Sequence, residues 1–262
     1  MLSSPVPSEF VTASWSYLIA LRNQGRLREA TILHQTGALP GFSTLAIKHD
    51  PDGVNQAVLA IERGEPRVAA EIYGKIVHGD MSPWAPGYAA RLRTWHATLQ
   101  GMALAAAGDT AAVRSLADSA ERWGSGSSYG RDRRAFHYLR GMVLSAARHD
   151  EDAAREFAAA ISSPSLGFTR VNYELGKVLL RLRRPTEAIA ALQPALRGEI
   201  DASNLYVTRT ELHEVLARAF DAAGQRDSAV AHYGAVVRAW RRADPVYRAR
   251  RDSAQARLVG GR

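Results

Sequence analysis

The sequence holds no cysteine in 262 residues, which excludes disulfides, thiolate metal sites and cysteine nucleophiles and leaves cysteine usage silent on redox compartment. Lysine is almost missing as well. Lys48, Lys75 and Lys177 are the only three, so the 34 basic residues are nearly all arginine. No apolar run approaches the roughly 20 residues of a membrane helix, so no membrane insertion is expected. Residues 1–14 have neither a basic start nor a long apolar core, and without a signal peptide the expected compartment is the cytoplasm. What is present is an ordinary folding composition: 46% hydrophobic with 23% charged residues excludes wholesale disorder.

The formal charge is +8, a balance that can mark a nucleic-acid or membrane binder. Its distribution is uneven. The stretch from Arg238 to Arg262 carries eight arginines against Asp244 and Asp252, which leaves only about +2 for the first 237 residues. The basic character belongs to the C-terminal end.

Internal periodicity organises the rest. A helix, a tight turn and a second helix opening with alanine recur six times, most clearly over 173–195 and 212–233. A small residue stands at Leu18, Ala57, Gly101, Gly141, Gly176 and Ala217; three residues on, a large one stands at Leu21, Ala60, Leu104, Leu144, Leu179 and Phe220. The turn falls on Gly25, Gly64, Gly108, Arg148, Arg183 and Gly224, and a tight-packing residue follows at Ala30, Ala69, Val113, Ala153, Ala188 and Ala229. A last large position reads His34, Tyr73, Ala117, Phe157, Leu192 and Tyr233, with Leu18, Ala60, Val113, Ala117 and His34 departing from the pattern. Over about residues 11–243 this resembles the tetratricopeptide repeat family, in which those offsets recur with a period near 34. The resemblance implies an all-α, right-handed α-solenoid of about six helix pairs.

Each residue type has a packing reason. Gly or Ala at the small position and after the turn lets two antiparallel helices approach closely, and the large residues fill the remaining space. Glycine ends the first helix in a left-handed conformation. Where Arg183 replaces it, Pro185 opens the next helix without needing an amide donor. Asp109, Asp150 and Asp227 suit second-helix starts, as caps or as charges favoured by the dipole. The expected organisation is a tail at 1–10, pairs at 11–37, 52–78, 87–123, 131–162, 168–198 and 203–243, and a capping helix and tail at 244–262. Connections are read at Ala38 to Pro51, Gly79 to Pro86, Trp123 to Gly130 and Ser162 to Gly167, and a final polar helix at Pro245 to Leu258.

Catalytic signals are weak. The stretch from Gly124 to Gly130 lacks the preceding strand and the lysine of a phosphate loop and reads as a linker. His213-Glu214 starts like a zinc-protease helix, but Ala217 stands where the second ligand belongs. His137, His149 and His232 show no ligand spacing, so no metal and no cofactor is expected. Glu151-Asp152 sits in a first turn, where the dipole favours carboxylates for stability alone. No enzyme is expected.

The resemblance implies that first helices line a concave groove which holds the partner. That register places Arg170, Tyr173, Lys177 and Arg181 on one stripe, joined by Trp95, Met102, Tyr138, Met142, Glu214 and Arg218. Aromatic, methionine and cationic side chains suit a protein or peptide partner, an acidic one with apolar anchors in particular. The asparagine and lysine set of chaperone-binding members is missing. Arginines of the C-terminal stretch, with Trp240 and Tyr247 stacking, offer a nucleic-acid reading; a capping helix docking Val246, Ala249 and Leu258 is favoured over it. The ending also resembles the last repeats of large bacterial signalling proteins that carry a kinase, cyclase or DNA-binding head. The expected function is a non-catalytic scaffold or adaptor. The alternative is a regulatory or sensory module that binds a small ligand or nucleic acid.

Overall fold

The computed structural model describes residues 8–36, 53–161, 169–197 and 207–259. These are all-helical, with no strand among them: α1 (Ser8–Asn23), α2 (Leu27–Thr36), α3 (Val54–Glu62), α4 (Pro66–Val77), α5 (Pro86–Ala106), α6 (Thr110–Ser125), α7 (Ala135–Ala146), α8 (Asp150–Ala160), α9 (Thr169–Arg181), α10 (Pro185–Leu192), α11 (Arg209–Ala222), α12 (Arg226–Ala239) and α13 (Arg248–Val259). The connections read at Ala38–Pro51 and Ser162–Gly167 lie outside the described residues. No described helix is long and apolar enough to cross a membrane.

The turn residues set the hairpins. Gly25, Gly64, Gly108, Arg148, Arg183 and Gly224 all have φ between 57° and 84°. In each, the following amide donates to the carbonyl five residues back, as from Arg26 to Leu21, from His149 to Leu144 and from Gln225 to Phe220. This is the Schellman closure, and the acceptor is always the large-position residue. Second helices then start where the backbone needs no donor or finds a cap: Pro66 and Pro185 stand in the first turn, and the Asp109 carboxylate accepts from the Ala112 amide at 2.9 Å.

Within each hairpin the six tight positions, Ala30 to Ala229, are completely buried, Val113 included. A Cβ on Gly141 would meet the Phe157 ring at 2.6 Å, and one on Gly176 would meet Leu192 at 2.7 Å. In the third hairpin Ala117 leaves that space empty, and Leu139 of α7 fills it against Gly101. Each second helix packs on the next first helix (α2 on α3, α4 on α5, α6 on α7, α8 on α9, α10 on α11), and α5 also touches α7 as α9 touches α11.

Several details differ from expectation, and the first is that α1 begins at Ser8, inside the stretch read as a tail at 1–10. Helix α6 runs to Ser125, since its last turn packs Gly124 against the Asp132 backbone, so the connection starts later than Trp123. The final segment is a 3-10 turn, Pro245–Tyr247, before α13, and it docks through Tyr247 and Ala254 while Val246 and Ala249 are exposed. Helix α13 packs on α12, and the chain just before it meets the first hairpin. Asp244 donates its amide to the Gly25 carbonyl at 2.8 Å, and its carboxylate takes the Arg28 amide in the first turn of α2 at 2.8 Å. A Cβ on Gly25 would meet Ala243 and Tyr247 at 2.8 Å. Asn23, ending α1, accepts from the Arg209 amide at 2.8 Å and from the Thr210 hydroxyl at 2.6 Å. The two ends of the array meet at this seam.

Candidate functional site

A cavity of about 490 Å³ lies inside the array. Its walls come from first helices and the segments flanking them: Ile61 of α3, Met102, Ala105 and Ala106 of α5, Met142, Ser145 and Ala146 of α7, Arg170, Tyr173, Glu174, Lys177 and Arg181 of α9, then Arg148, Val207 and Glu211. Helix α9 contributes along its length because 170, 173, 174, 177 and 181 form one stripe at helical spacing. The C-terminal ends of α3, α5 and α7 supply the apolar part. Cations at those ends suit the negative end of the helix dipoles.

The charged groups are mostly paired. Lys177 Nζ lies 2.7 Å from Glu174 and 4.8 Å above the Tyr173 ring. Arg181 forks onto Asp150 through Nη2 at 2.6 Å and Nε at 2.9 Å, and also donates to the Ser145 hydroxyl at 2.7 Å. That hydrogen-bonded guanidinium holds the Asp150 carboxyl below the usual range. Arg148, exposed at the turn after α7, donates its amide to the Ser145 carbonyl at 3.2 Å, and its charge adds to the pull on Asp150. Burial pushes the Tyr173 hydroxyl up from its ordinary value, with the charge of Glu211 adding to it. Glu211 closes the capping box with Thr208 and takes Arg250 at 3.1 Å.

Six of the ten residues singled out by register line this cavity: Met102, Met142, Arg170, Tyr173, Lys177 and Arg181. Arg170 is buried at its back, donating to the Thr98 hydroxyl at 2.9 Å and lying 4.9 Å above the Tyr138 ring. Tyr138 itself is fully buried, on the side of α7 that meets Phe157, and burial raises its hydroxyl pKa. Trp95 stands outside the lining, 5.1 Å from the Arg131 guanidinium. Glu214 is paired with Arg250, and Arg218 faces a separate cavity of about 420 Å³ beside Asp221, Tyr233 and Arg257. Register missed Ile61, Arg148, Glu174, Val207 and Glu211. Glu174 was findable four residues after Arg170 and three before Lys177 on the same helix face; Val207 and Glu211 needed the fold.

At the C-terminal end, Trp240 is completely buried and Tyr247 nearly so, their rings 4.9 Å apart beneath Arg250. Neither ring is open to a nucleobase, which corrects the stacking role read for this pair. Helices α11 and α12 bring His213 and His232 together, Nδ1 to Nδ1 at 2.7 Å. Among the described residues no three His, Asp or Glu side chains gather as metal ligands. No protein-family model matches the chain, and no curated protein matches it at a significant level.

Proposed function

We propose that the chain is a tetratricopeptide-like array, a right-handed α-solenoid of six helix pairs, that serves as a non-catalytic scaffold holding a short segment of a partner protein in its central cavity. The observation that carries the reading is the composition of the walls. Ile61, Met102, Met142 and Val207 offer apolar contact, while Arg148, Lys177 and Arg181 outnumber Glu174 and Glu211. A segment with one apolar anchor and a carboxylate meets both. Ion pairs fix Lys177 and Arg181 before binding, so little side-chain freedom is lost on association. The second reading, a sensory module for a small amphipathic anion, is favoured by size: about 490 Å³ falls within the roughly 300–1,000 Å³ of small-ligand sites.

Affinity capture from native lysate tests both. Ala146 is exposed at the cavity mouth, so Ala146→Trp fills the space without touching the core. Combined with Lys177→Glu, it is expected to weaken capture of a partner by about 2 kcal/mol, some thirtyfold. Equal capture by the double variant sinks the scaffold reading. A small metabolite that raises the melting temperature of the native chain alone, with no protein captured, selects the sensory one.

A further inference from the structure

Among residues with described side chains, three aromatics are exposed, and all three gather in one region: Trp84, Tyr88 and Tyr129. Trp84 and Tyr88 lie 5.2 Å apart at the start of α5. Tyr88, Arg91 and Trp95 continue along one stripe of that helix at spacings of three and four. The Ser128 amide donates to the Gly87 carbonyl at 3.0 Å, which ties Tyr129 to the same stripe. Arg91 stacks on the Tyr129 ring at 4.1 Å, and Arg131 lies at 4.7 Å from Tyr129 and 5.1 Å from Trp95. Rings and guanidinium groups thus alternate along one surface.

We propose that this surface binds single-stranded nucleic acid, with bases stacking on Trp84, Tyr88 and Tyr129 and phosphates meeting the exposed Arg133. The local charge calls for an anion. Arg91, Arg131, Arg133 and Arg134 stand against Asp132, which is completely buried and accepts from the Ser127 hydroxyl. The geometry chooses among anions. Guanidinium edges take carboxylates and phosphates alike, so the rings decide: Arg91 and Arg131 lie over Tyr129 and Trp95 and extend the π-surface on which bases stack. Beside Trp84 a cavity of about 530 Å³, walled by Ile72, Met81 and Leu92 together with Lys75, Asp80 and His96, gives an unstacked base a place to insert. Duplex nucleic acid keeps its bases stacked inward and fits this surface poorly.

The test is fluorescence anisotropy of the full chain with labelled oligothymidylate and oligouridylate of about a dozen nucleotides, at roughly 50 and 200 mM salt. Binding of either polymer is expected, with the stronger one identifying DNA or RNA as the source. The exposed pair Trp84→Ala with Tyr88→Ala should raise Kd about tenfold or more, with an unchanged circular dichroism spectrum and melting temperature. Arg133→Gln should lower the salt slope by about one phosphate contact. Three results overturn the proposal: no binding at about 10⁻⁴ M in low salt, the point where even non-specific association is seen; equal affinity of the double aromatic variant; or a duplex or oligoglutamate competing as well as the single strand.

Discussion

A left-handed backbone at the end of a helix is where side-chain chemistry matters least and backbone chemistry most. Arg148 and Arg183 hold φ of 63° and 57° without being glycine. Their amides take part in the same Schellman closure as the glycine turns, so the hydrogen bonds of the array impose the conformation. An L-residue there costs about 1–2 kcal/mol, against about 0.5–1 kcal/mol of extra unfolded-chain entropy for glycine. Arg183 is exposed, so Arg183→Gly is expected to stabilise the chain by about 0.5–1 kcal/mol in urea unfolding. A loss of stability would mean that the Arg183 side chain makes a contribution the backbone argument omits. Gly141 and Gly176 are glycine for the opposite reason. Their φ values are ordinary, and the Phe157 and Leu192 side chains take the room of a Cβ.

At the scale of the hairpin, those contacts fix one register. Gly141 meets Phe157 and Gly176 meets Leu192, both sixteen residues apart, while His137 meets Glu156 and His213 meets His232, both nineteen apart. The first kind of pair was legible in the sequence, because turn, small and large positions repeat six times and each is dictated by local backbone geometry or close packing. The second was not. A search for ligands at helical spacing inspects one helix, and the histidine partners sit on two. Their geometry has a consequence for acid stability. One Nδ1–H donates to the other Nδ1, so a second proton would set two donors face to face. Burial, the proximity of His232 and the charges of Arg209 and Arg238 push His213 down to about 4, and burial lowers His232 too. Between that value and the ordinary histidine value near 6.5 the unfolded chain therefore binds more protons than the folded one. Stability is expected to rise with pH across that window and to fall on acidification from about 6.5 towards 4. His213→Gln with His232→Gln should flatten this limb in melting curves taken at stepped pH. An unchanged limb would assign the acid sensitivity elsewhere.

At the scale of the whole molecule, helices and cavity separate in how far the sequence revealed them. Met102, Met142, Tyr173, Lys177 and Arg181 were legible because a stripe on a first helix faces inward in any such array. Tyr138 was misplaced because it lies at the edge of that stripe, where a small rotation of α7 turns it into the core. The seam was invisible, since its hydrogen bonds join residues 186, 187 and 216 positions apart and obey no period. It also holds a buried pair, Arg22 and Glu62, joined at 2.7 Å, in which burial raises the Glu62 carboxyl against the pull of the guanidinium.

Closure of the two ends can be weighed against an internal control. Gly25 and Gly224 occupy the same turn position with φ of 68° and 73°. Around Gly224 a Cβ meets nothing within 4 Å, whereas at Gly25 it meets Ala243 and Tyr247. Alanine pays the same left-handed strain at both, about 1–2 kcal/mol. Only at Gly25 does it add overpacking, typically about 1–3 kcal/mol. Gly25→Ala should therefore lower the urea midpoint more than Gly224→Ala, and it should speed amide exchange in α2 beside the Asp244 cap while leaving α8 unaffected. Equal costs at the two glycines would mean that the ends do not touch in solution. The inner cavity would then be an open groove, and a partner could thread through it from the side rather than enter by one end.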